Sequence, residues 1–88
     1  MVKGETKSGF KFQLNEEAMN DMEFIELLAK TEESVTALPK VIEMVLGEDQ
    51  KKKLYDHIRT KDGRVPLEAV NDEISEIFDI AGEEVKNS

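Results

Sequence analysis

The stretch from Ala37 to Ala69, ALPKVIEMVLGEDQKKKLYDHIRTKDGRVPLEA, constrains the fold more than any other part of this chain. Leu38, Val41, Ile42, Val45 and Leu46 fall at i, i+3, i+4, i+7 and i+8, the spacing of one helix face turned to a core. Thr36 is placed to cap this helix. Pro39 lies in its first turn, where a missing N–H leaves no intrahelical bond unmade. Gly47 can take φ > 0 and is expected to end the helix as its C′ residue. Asp49 then caps a further helix running through Lys51-Lys52-Lys53 to Leu54, Tyr55 and Ile58. Asp62-Gly63 closes a turn, Val65 stands alone between polar neighbours, and Pro66 starts a last helix at N1. Leu67, Val70, Ile74, Ile77, Phe78 and Ala81 form its apolar stripe, which Gly82 is expected to end.

The segments on either side are understood by what they pack against. Between Gly4 and Leu14, Phe10, Phe12 and Leu14 alternate with Lys11 and Gln13, the period-two signal of a half-buried strand, and Ser8-Gly9 is a turn candidate. A lone hairpin is marginal in water, so its apolar face must lie on the helices or its edge must pair with another chain. Asn15 is placed to cap a first helix, and Asn20 with Glu23 repeats a cap-like spacing. Met22, Ile25, Leu28 and Ala29 give this helix an apolar stripe, with Phe24 and Leu27 beside it. The expected fold is mainly α: one compact four-helix domain over residues 1–82. A short N-terminal β-hairpin falls at about 4–14, helices at about 16–31, 36–46, 49–60 and 66–81, and a flexible tail at 83–88.

Charge narrows the functions. The formal net charge is −8 in 88 residues. Residues 16–34 hold seven acids against one lysine, as do residues 65–88, whereas residues 48–64 hold six bases against four acids. The overall sign disfavours nucleic-acid binding, which needs a dominant basic footprint. No apolar run nears the roughly 20 residues of a membrane span. The chain has no cysteine, which removes thiolate metal sites and suits a reducing cytosol.

No catalytic or cofactor constellation emerges. Asp62-Gly63 followed by Val65 resembles the middle of a calcium loop. Setting Gly63 at the sixth place puts Ile58, Thr60, Asp62 and Ala69 where oxygen ligands are required, and only two qualify. His57 is the single histidine, and the positions four residues away hold Lys53 and Lys61, so no metal pair forms and the residue reads as surface or half-buried. Asp72, Glu76 and Asp79 read as the solvated face of the last helix, with docking of a basic partner segment as the functional alternative. Lys51, Lys52 and Lys53 point in different directions around a helix and cannot serve one site. Met19, Met22 and Met44 are expected as core fillers, with an exposed Met22/Phe24 patch the sign of client binding.

Three pieces carry a family resemblance: TKSGFKFQL (6–14), the run from Ala37 to Pro66, and the ending from Ile74 to Ser88. Together they resemble the small tail assembly chaperones of long-tailed bacteriophages, the most telling parts being Leu38-Pro39-Lys40, Leu46 to Arg59 and Asp62 to Pro66. The resemblance implies a non-catalytic protein of the infected bacterium's cytoplasm, without cofactor or metal and absent from the mature virion. It implies two partners, the long tape measure protein, held soluble, and the major tail protein, recruited by a longer frameshifted form. Lys86-Asn87 is compatible with a slippery codon pair for that frameshift. The residues themselves lead to an expected client groove lined by Leu38, Val41, Val45, Ile74 and Phe78, with Met22 and Phe24 nearby. Self-association stays open as a further contact. The rival reading is an acidic inhibitor that mimics DNA to block a host nucleic-acid enzyme.

Overall fold

The computed structural model of the chain describes residues 2–87. It is mainly α, with four α-helices and an N-terminal two-stranded antiparallel hairpin among those residues. Strand β1 (Val2–Glu5) pairs with β2 (Lys11–Leu14) in the register Val2↔Leu14 and Gly4↔Phe12. The alternation turns Val2, Phe12 and Leu14 into the core. The hairpin starts two residues earlier than the expected Gly4, because Val2 adds an aliphatic side chain to the buried face. Its connection is a loop over residues 6–10 rather than a two-residue turn. Thr6 N–H donates to the Phe10 carbonyl and Gly9, at φ 94°, donates to the Thr6 carbonyl. That geometry turns the Phe10 ring inward, and it is buried outside the strand proper.

The expected first helix, 16–31, divides. Asn15 and Asp21 are both competent caps, and each is used. Asn15 Oδ1 accepts from Glu17 N–H at 2.9 Å to start the single turn α1 (Glu16–Met19), and Asp21 Oδ1 accepts from Glu23 N–H at 2.7 Å to start α2 (Met22–Glu33). Asn20 is therefore the end of α1, and Asp21 opens the next helix. Ser34, in place of Thr36, caps a 3-10 turn at Val35–Ala37, its Oγ accepting from Thr36 N–H at 3.4 Å. Helix α3 (Leu38–Ile58) follows directly, with Pro39 in its first turn.

The two middle helices expected at 36–46 and 49–60 are the two arms of α3, parted at Gly47 (φ 84°, ψ 163°), whose positive φ is the expected one and whose non-helical backbone turns a corner between them. That backbone region is essentially glycine's alone. The corner is held by side chains. Lys51 pairs with Glu43 across it. In a straight helix, residues eight apart would stand about 12 Å from one another along the axis. Gln50 Nε2 donates to the Leu46 carbonyl at 2.7 Å, a group orphaned by the break. The same amide accepts from Gln13 N–H at 2.8 Å and donates to the Gln13 carbonyl, fastening the outer edge of β2 to the corner.

Helix α4 (Leu67–Asn87) begins just after Pro66, whose carbonyl accepts from Val70 N–H at 3.1 Å. The expected stop at Gly82 does not occur. Gly82 keeps a negative φ, and a glycine inside a helix costs only about 1 kcal/mol relative to alanine. The helix therefore takes in 83–87 of the expected tail, and Ser88 lies outside the described residues. α3 packs against α1, α2, α4 and β2, while α4 covers β1. Gly4 permits that last approach: a Cβ there would stand 2.8 Å from Phe12 Cζ and 2.9 Å from Ile80 Cγ2. The core is closed by Val41, Ile42, Leu54 and Ile77, and by Phe24, whose ring meets Phe78 edge-on at 6.3 Å.

Gly47→Ala should lower unfolding stability by about 1–3 kcal/mol through backbone strain alone, since nothing lies within 4 Å of the added methyl. Gly4→Ala should cost a similar amount, about 1–3 kcal/mol, by overpacking. Urea denaturation checks both. The corner pair also sets a pH dependence. Its hydrogen bond to Lys51 holds the Glu43 carboxyl below the usual carboxylate range. Stability from this depression is present above that range and lost as pH falls through the folded value. The difference in stability between wild type and Glu43→Gln should therefore shrink on acidification, measured by urea melts from neutral to acid pH.

Candidate functional site

Of the residues expected to line a client groove, most are sealed. Phe24, Leu38, Val41, Val45 and Ile74 are all buried, and Phe78 is half-buried against Phe24. The apolar stripes of α3 and α4 fill the space between them with each other and with the hairpin's aromatics, so a groove built from those residues is already occupied by the chain itself. A domain of this size needs nearly all its aliphatic side chains to close a core. Met19 and Met44 are half-buried fillers at its margin.

Met22 is different. It is 69 % exposed, Ile25 is 47 % exposed, and Ala29 is exposed on the same side of α2. The stripe Met22, Ile25, Leu28 and Ala29 expected to face inward thus mostly faces outward. The core instead takes Phe24, with Leu27 and Leu28 packed beside it. α2 offers apolar side chains over more than half of its circumference, and the aromatic one decides its rotation because it has the largest apolar surface to bury. Acids flank the outward stripe, with Glu23, Glu26, Glu32 and Glu33 on the helix, Asp21 at its cap and Lys30 as its one base.

Two further surfaces are shaped by the fold. Val35 and Leu67, both about half exposed, border a pocket of about 210 Å³ closed by Leu38, Pro39, Tyr55 and Val65. A wider cleft of about 1250 Å³ runs between β2 and the Gly47 corner, with Gln50 as its bridge and Lys3, Lys11, Glu48 and Asp49 on its walls. In the turn after α3, Asp62 is engaged by Thr60 and by Arg64 Nε at 3.0 Å, and Arg59 donates to the Gly63 carbonyl at 2.9 Å. The Thr60 hydrogen bond, then Arg64, holds the Asp62 carboxyl below its ordinary value.

The structure also assembles a polar cluster that the sequence did not announce. Glu73, only 7 % exposed, accepts from Thr6 Oγ1 at 2.9 Å and from Ser8 Oγ at 2.8 Å. Ser8 Oγ lies 3.0 Å from His57 Nε2, Glu76 Oε1 accepts from Lys7 N–H at 2.7 Å, and the Phe10 and His57 rings approach to 5.5 Å. Serine, histidine and a carboxylate invite comparison with a nucleophile and its base. The proton bookkeeping differs. The Ser8 hydroxyl gives its hydrogen to Glu73, which leaves His57 Nε2 as donor to Ser8 Oγ rather than as base. Nearby N–H groups that could hold an oxyanion are already used: Gly9 donates to the Thr6 carbonyl, Phe10 to Thr6 Oγ1 and Lys7 to Glu76. The arrangement clasps the hairpin loop to α3 and α4. One signal pointed to it: Glu73 sits three residues after Val70 and four before Ile77, a carboxylate inside an apolar stripe. Of the acids expected on a solvated face, Asp72 and Asp79 are exposed and Glu76 serves the clasp.

No family model matches the chain. No curated protein and no solved structure matches it either.

Glu73→Ala should destabilise the protein by about 1–3 kcal/mol, because the buried Thr6 hydroxyl then loses its acceptor. Glu73→Gln, which keeps an oxygen there, should cost less. Ser8→Ala, which removes one of the two hydroxyl donors to Glu73 and leaves Thr6 in place, should cost about 0.5–1.5 kcal/mol. Chemical denaturation of the three variants gives the ranking.

Proposed function

We propose that this chain is a non-catalytic tail assembly chaperone. It binds and solubilises the tape measure protein of a long-tailed bacteriophage in the host cytoplasm and helps to bring in tail tube subunits. One observation carries the reading: Met22 and Ile25, large apolar side chains, stand in solvent on an acidic helix whose buried side is well packed. A holdase needs that pairing, an apolar surface to cover its client and net charge to keep the complex dissolved. The resemblance of residues 6–14, 37–66 and 74–88 to the phage chaperones supplies the client's identity. The clasp around Glu73 supports the non-catalytic part, since its serine, histidine and carboxylate are committed to one another and to the hairpin loop. A DNA-mimic inhibitor fits less well, because apolar side chains interrupt the acids of α2.

Co-expression tests the reading. On this reading, the tape measure protein of the same phage should move from the pellet to the soluble fraction when the two are made together. Met22→Ser/Ile25→Ser should reverse much of that gain. Equal insolubility with and without the chain would end the proposal.

A further inference from the structure

α2 carries apolar side chains on its buried side and, continuing round the helix, on an exposed side as well. Phe24, Leu27 and Leu28 pack on the core, and the other face shows Met22, Ile25 and Ala29 to solvent over two helical turns, about 10 Å. Three kinds of occupant can be weighed by charge. A second copy lying face to face on the same helix would gather ten carboxylates against two lysines, counting each Asp21 cap. Like charges so placed oppose association. A membrane surface suits no better, since helices that lie on bilayers carry lysine and arginine around their apolar face to meet anionic headgroups. A polypeptide helix with an apolar stripe bordered by basic residues satisfies both the apolar and the acidic parts of the surface.

We infer that the outward stripe of α2 docks an amphipathic client helix whose apolar residues are flanked by lysine or arginine. This rests on the client-binding reading above and adds to it the place and the charge of the contact. Met22 and Ile25 supply the apolar footing. Glu23, Glu26, Glu32 and Glu33 steer the basic rim and fix its register. Two turns of contact make each engagement weak. Several copies of the protein along one long client would hold it through avidity without tight binding at any single site.

The probe is a fluorescent synthetic peptide of about eighteen residues, long enough for helix to form on contact. It carries leucines at i, i+3, i+4 and i+7 and lysines elsewhere, and is titrated with the full chain by anisotropy. A second peptide permutes the same residues so that the leucines share no face, and a third replaces lysine with glutamate. The first should bind, and its affinity should fall at least about tenfold with Met22→Ser/Ile25→Ser and with the permuted peptide, as burial of two such side chains requires. Glu26→Gln/Glu33→Gln and added salt should weaken it further. Val35→Ser/Leu67→Ser, equally exposed but off the stripe, should bind as wild type.

Undiminished binding by Met22→Ser/Ile25→Ser overturns the assignment to α2. Equal affinity for the glutamate peptide overturns the basic partner while leaving a client-binding protein. A wild-type dimer that Met22→Ser/Ile25→Ser converts to monomer assigns the face to a second copy and overturns the inference. Loss of tape measure solubilisation in co-expression, by contrast, removes the functional reading itself.

Discussion

The corner at Gly47 is the constraint on which the rest of the molecule depends. Without it, Leu38–Ile58 would be a rod about 30 Å long that could bury one face against one neighbour. With it, the first half delivers Val41, Ile42, Val45 and Leu46 to the core while the second returns Leu54 to the same interior and His57 to the hairpin loop. Glu43 and Lys51 can meet only because the axis turns between them. Gln50 extends the corner's influence to the sheet. Its one amide group satisfies the broken helix and the free edge of β2 together, so hairpin and corner hold each other's geometry. An uncovered strand edge invites pairing with other chains, and a side-chain amide set against it closes that route at Gln13.

A small domain has few apolar side chains to spare, and that scarcity explains why the expected client groove is full. The stripes of α3 and α4 interlock, and Phe24 with Phe78 seals the end. The surplus appears on α2, where Phe24 wins the inward direction and leaves Met22 and Ile25 outside. We propose that this surplus serves contact with a partner, the neighbouring carboxylates selecting it by charge.

The polar clasp works in the other direction, tying distant segments together through hydrogen bonds. Glu73 occupies a core-facing position on α4 yet stays fully provided with hydroxyl donors from a loop 65 to 67 residues away. A buried carboxylate left without such donors would be costly. The hairpin loop's shape therefore matters as much to α4 as α4's carboxylates do to the loop.

Residue order alone determined the fold class, the hairpin's alternation, the cap at Asn15, a second cap placed one residue early at Asn20 instead of Asp21, the entry of Pro39 and Pro66, and the special backbone of Gly47. These are local matters, set by sterics and hydrogen-bond chemistry within a few residues. Boundaries moved where two local solutions competed. Two caps cut the first helix in two, and Gly82 failed to stop the last, whereas Gly47 parted the middle helices at a kink as its freedom of φ allows. Which faces are inside was decided only in three dimensions. A helix such as α2, apolar on several sides, has no preferred rotation until its neighbours are in place. The burial of Phe24, the exposure of Met22 and Ile25, and the meeting of Ser8, His57 and Glu73 are long-range outcomes. They depend on which surfaces remain once the largest side chains have been covered, and no spacing along the chain encodes that remainder.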